Sequence, residues 1–148
     1  LSAIKQQLTP ILLCEFIGCV VGIVSVAYIA KAMGASREVI LSLASKSVTT
    51  PIAMEVTKSI GGIPPLTAAV VVCVGLMCAV CGYRTMGFAR VKSPVAQGLS
   101  MGTAAHAVGT ATAMEKSPVH GAYASLGLTL NGILTSLLTP SIIPLLGV

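Results

Sequence analysis

The chain has 148 residues, 55% of them apolar or aromatic and only 9% charged, with a mean hydropathy of +0.95; a water-soluble domain carries roughly 25% charged residues. That composition excludes an ordinary soluble domain and predicts an integral membrane protein. The net charge of +5 comes from loop Lys and Arg in a chain with 3% aromatics, so no nucleic-acid partner is implied.

In chain order, the sequence begins at Leu1 without Met and with the polar stretch Lys5-Gln6-Gln7, which reads as a loop continuing from something earlier. The first helix is predicted over 10–32, with Glu15 one turn inside its start and a Gly18-x-x-x-Gly22 pair suited to close approach of a neighbouring backbone. A break follows at Gly34-Ala35-Ser36. Residues 38–60 are too polar for a lipid-facing helix and contain Val48-Thr49-Thr50-Pro51. Proline removes a donor and disfavours helix just before it, so two half-helices with an unwound centre near 47–51 are expected. Gly61 to Pro65 is a turn, 66–82 an apolar helix, and 83–94 a basic loop with Arg84, Arg90 and Lys92. Residues 95–116, rich in Gly, Ala, Ser and Thr around His106, suit a position between helices rather than against lipid. A turn over 117–121 leads to a last apolar segment, 122–146. The five cysteines all fall in apolar runs and read as small buried hydrophobes; Cys78 and Cys81 form a C-x-x-C without a second pair, which leaves a metal or redox site a weak alternative. The fold expected is all-α: one polytopic membrane domain over 1–148 with about five membrane segments, two of them interrupted.

Val48 to Glu55, set over Val108 to Glu115 at an offset of 60, matches at five of eight positions. A turn and an apolar helix follow each copy, which predicts an internal repeat over about 38–82 and 95–146. Interrupted helices at corresponding positions of two repeats point to a transporter's substrate site. The repeat sets Lys46 against His106, Thr50 against Thr110 and Glu55 against Glu115. Unwinding leaves free N–H groups and a positive helix end at membrane depth, which an anion satisfies. Lys46 and Thr50, like His106 and Thr110, are four apart and share a helix face, so a small carboxylate fits the grouping. The candidate substrate-binding residues are Lys46, Ser47, Thr49, Thr50, Pro51, Thr103, His106, Gly109, Thr110 and Asn131. His106 is the candidate proton carrier, because imidazole switches charge close to neutral pH. Lys46 could instead snorkel to an interface and His106 could be a hydrogen-bonded packing residue; Glu55 and Glu115 read as interfacial charges. Segment length and loop charge favour two broken spans over two re-entrant elements.

The strings Lys46-Ser47-Val48-Thr49-Thr50-Pro51-Ile52-Ala53, Gly61-Gly62-Ile63-Pro64 and Gly102 to Thr110 resemble the LrgB/CidB family of bacterial inner-membrane proteins, over nearly the whole chain. The resemblance implies the C-terminal part of a longer chain, and two functions. One is carriage of small monocarboxylates such as glycolate, glycerate or pyruvate, as in the related plastid glycolate/glycerate translocator. The other is a holin/antiholin-like role controlling murein hydrolase activity and lysis with an LrgA/CidA-like membrane partner. Glu15 departs from the pattern associated with that family. The partners expected are a small carboxylate anion, a proton, the lipid bilayer, the LrgA/CidA-like protein and further copies of the chain in a homo-oligomer, with no cofactor or metal. With no Asp and neither an H-E-x-x-H nor a P-loop string, an enzyme is not expected.

Overall fold

The structure, a computed structural model, describes the backbone of residues 2–147 and the side chains of residues 7–147. The described residues form six helices: α1 (Ser2–Ala32), α2 (Arg37–Ala44), α3 (Thr50–Ile60), α4 (Pro64–Phe88), α5 (Pro94–Lys116) and α6 (Pro118–Leu145). Where about five membrane segments were expected, three helices among the described residues are long and apolar enough to cross a bilayer: Gln7–Ala32 of α1, then α4 and α6. They leave large apolar side chains such as Ile17, Val21, Met77, Val80 and Leu137 exposed on their outer faces, as lipid-facing helices do.

The remaining two segments double back, which corrects the expectation of broken spans. In α5 the backbone turns at His106, whose φ of 45° and ψ of −132° leave the helical region. Gln97 and Lys116 would be about 28 Å apart along a straight helix, yet the Lys116 ammonium donates to Gln97 Oε1 over 2.9 Å. Legs 94–105 and 107–116 therefore form a hairpin with His106 at its tip. Gly109, a candidate binding residue, is helical. A Cβ there would strike the Met101 carbonyl and the Ala105 methyl, so its missing side chain lets the returning leg lie against the entering one. In the first segment the break runs from Ser45 to Thr49, and α3 returns along α2. Buried hydroxyls hold this turn: Ser45 Oγ donates to the Ala53 carbonyl (3.1 Å), Thr67 Oγ1 to the Ser42 carbonyl (2.8 Å), and Ser42 Oγ accepts from Ile63 N–H (2.7 Å).

The two hairpins enter from opposite ends of the bundle. Helices α1 and α6 run parallel, since Tyr123 donates to Gln7 near their starts (3.1 Å) and Lys31 to the Gly147 carbonyl near their ends (3.3 Å). The first hairpin follows the end of α1. The second has its open end at the start of α6, where Gln97 Oε1 also accepts from His120 Nε2 (3.0 Å), and the Lys116 ammonium lies 3.7 Å from the centre of the Tyr83 ring. Helix α4 connects the two ends.

Several boundaries differ from the sequence reading. Helix α1 starts at Ser2, before the expected 10, and continues through Pro10. Helix α4 runs on through Arg84 to Phe88, which shortens the basic loop, and α6 begins at Pro118 because Ser117 caps it, accepting from the His120 N–H. Proline at the first helical position suits both α5 and α6.

Candidate functional site

Between α1, the tip of the first hairpin, the entering leg of the second and α6 lies a central cavity of about 360 Å³. Of the ten residues singled out from the sequence, Lys46, Ser47, Thr103 and Asn131 line it. Thr49 and Pro51 border outer grooves of the bundle beside Ile52. Thr50 begins α3, and Gly109 packs within the second hairpin. Thr110 turns its hydroxyl onto the His106 carbonyl (2.9 Å), buried beside α6. His106 does not line the cavity. Its Nε2 lies 2.9 Å from the Val71 carbonyl, and a Cβ on Gly75 would come within 2.8 Å of the ring, so α4 offers a bare backbone to receive the imidazole. This contact holds a tip whose positive φ costs roughly 1–3 kcal/mol in a non-glycine residue. Glu55 and Glu115 are both exposed, away from the cavity.

Lys46 is half-buried at the break between α2 and α3; the one polar side chain within hydrogen-bond reach of its ammonium is Ser47 Oγ at 3.4 Å, and no carboxylate lies within 4.0 Å among the described residues. An ionisable side chain within a membrane bundle is costly and faces the interior or a cavity, as Lys46 does. Asn131 joins the two hairpins. Its Nδ2 donates to the Ser47 carbonyl (2.9 Å) and the Thr103 carbonyl (3.0 Å), the two hydrogens of one amide serving both breaks. Asn131→Leu is expected to strip both buried carbonyls of their partner and destabilise the fold by about 2 kcal/mol or more. Thermal unfolding in detergent reads this directly, and an unchanged midpoint would show that the bridge is not needed.

Residues the sequence reading did not single out complete the lining. Gly18 and Gly22, expected to seat a neighbouring backbone, border the cavity instead; a Cβ on Gly22 would meet nothing within 4 Å. Cys19 and Thr135 face each other across 3.4 Å, and Glu15 reaches Thr103. The signal for Glu15 was present, since a carboxyl inside an otherwise apolar span is costly unless it has a use. No cluster of three or more potential metal-ligating side chains occurs among the described residues.

The fold and cavity define a multi-pass, all-α membrane protein whose helical hairpins meet beside a central cavity. The sequence model of the LrgB-like family matches residues 1–145, and the chain belongs to that family. It is thus a multi-pass protein of the bacterial inner membrane. Among its relatives, an uncharacterised protein of Haemophilus influenzae is 38% identical over 146 residues, covering 99% of this chain and 63% of the relative. Antiholin-like proteins LrgB of Bacillus mycoides and Bacillus cereus are 35% and 34% identical over 144 residues, each match covering 97% of this chain. The chain spans 63% of the length of these curated relatives. No solved structure matches it.

Proposed function

We propose that the central cavity binds a small monocarboxylate of the glycolate, glycerate or pyruvate kind, and that the chain forms the substrate-holding part of a carrier. The observation that carries this reading is Lys46, a cation without a carboxylate partner among the described residues, in a cavity lined by the tip of the first hairpin and the entering leg of the second. A passive pore needs only associating apolar helices. Re-entrant breaks with buried polar bridges suit a site that must hold a solute and then release it. An internal repeat over about 38–82 and 95–146 belongs to the proposal: in each half a hairpin precedes a long apolar helix, α2–α3 before α4 and α5 before α6. Proton coupling through His106 is retained in an altered form. A proton taken up there, at Nδ1, would strengthen the Nε2–H bond to the Val71 carbonyl and so act through the hairpin tip, not by touching the anion.

The second reading is an antiholin-like regulator of murein hydrolase activity and lysis that works with an LrgA/CidA-type partner, in an assembly with further copies of the chain. The printed names of the Bacillus relatives favour this reading as the cellular role. The cavity favours carriage as the molecular activity, and lysis control by metabolite flux would unite the two. Uptake of labelled glycolate, pyruvate and lactate into proteoliposomes, with and without a pH gradient, tests the first. Saturable uptake of at least one is expected. Uptake equal to that of empty liposomes for all three would leave the antiholin-like reading.

A further inference from the structure

Glu15 is 1% exposed on α1, and its Oε2 is buried with no hydrogen-bond partner among the described residues. Its Oε1 is hydrogen-bonded to the Thr103 hydroxyl, which also lies 2.8 Å from the Leu99 carbonyl. That hydroxyl has a single proton, whereas a carbonyl and an ionised carboxylate can only accept. With Glu15 ionised, Thr103 can serve one of the two oxygens and leaves the other facing it without a hydrogen. With a proton on Oε1, Glu15 donates to Thr103 and Thr103 donates to Leu99, so each contact in the row is satisfied.

The backbone beside this row is shaped to fit it. A Cβ on Gly127 of α6 would lie 2.7 Å from the Leu99 carbonyl oxygen, 3.0 Å from Thr103 Oγ1 and 3.2 Å from Glu15 Oε1. All three oxygens converge where α6 has no side chain, and a methyl group there would force them apart. The titratable neighbours are few. Lys46 shares the cavity from the first hairpin, Cys14 and Cys19 share it from α1 itself, and α5 and α6 present Leu99, Ser100, Thr103, Ala104, Asn131 and Thr135, none of which carries charge.

From this geometry we infer that Glu15, with Thr103 as its hydrogen-bond partner, is a proton-binding site of the central cavity. The neutral acid that these contacts favour leaves Lys46 without a counter-charge in the cavity. Loss of the proton would place a carboxylate in the same cavity and repel an anion held by Lys46, so that anion and proton load together. Only this last link rests on the carrier reading.

The test is carboxyl labelling of the full chain in liposomes by dicyclohexylcarbodiimide, which adds to protonated carboxyls in apolar sites, with the modified peptide identified by mass. Glu15 should be modified at pH ~5 and several-fold less at pH ~9, because raising pH removes the reactive proton. His106→Gln should leave that curve in place, and Glu15→Gln should remove the modified peptide. No labelling of Glu15 at either pH, or equal labelling at both, would overturn the assignment. Labelling needs no flux, so a protein that fails to carry any carboxylate yet shows the pH-dependent modification would discard carriage and keep the proton site.

Discussion

Lys46→Ala is expected to abolish saturable carboxylate uptake while leaving insertion and thermal stability intact. A hydrogen bond to a charged group contributes about 1.5–3 kcal/mol, roughly 10- to 100-fold in affinity, and at membrane depth no water replaces it. The two readouts separate function from folding. Because Lys46 has no carboxylate partner among the described residues, its removal orphans no buried charge and relieves the cost of holding an amine in the bilayer. Lys46→Arg, which keeps the charge but changes its shape, should recover part of the uptake. Full uptake by correctly inserted Lys46→Ala protein would remove the anion site from this cavity.

Gly102→Ala should have the largest effect on stability. A Cβ at 102 would be driven into the Ala124 carbonyl, with the Ala124 carbonyl carbon 2.7 Å and its Cα 2.9 Å away. Those atoms belong to the backbone of α6 and cannot swing aside as a side chain would. One turn earlier, a Cβ on Gly98 would meet the His120 backbone, with Cα at 3.0 Å, so the entering leg of the second hairpin and α6 touch backbone to backbone along one face. Overpacking of this kind costs about 1–3 kcal/mol, and the upper end is expected where backbone must move. Gly87→Ala is the matched control: a Cβ there meets nothing within 4 Å, and alanine gains up to about 1 kcal/mol of helix propensity. Unfolding temperatures of the two variants in the same detergent should diverge, and equal temperatures would show that the α5–α6 contact is not close.

Hydropathy alone determined that this chain lives in a membrane, and the three long apolar helices followed from it, because about 20 apolar residues with few charges have no better environment. The polarity of 38–60 and the small residues of 95–116 marked those elements as shielded from lipid, and Pro51 marked the break before α3. Whether they cross or turn back was a tertiary decision. A helix of about 23 residues is long enough for either, and only the meeting of Lys116 with Gln97, and of Ser42 with Ile63, decides for hairpins. The break in α5 falls at His106, and Gly109 one turn later lets the two legs touch. Site membership was decided in the same way. Spacing set His106 and Lys46 in equivalent places along the sequence, yet packing turned the imidazole to α4 and drew Glu15 from a distant helix to Thr103, since which side chains share a cavity depends on contacts between helices that no local periodicity encodes.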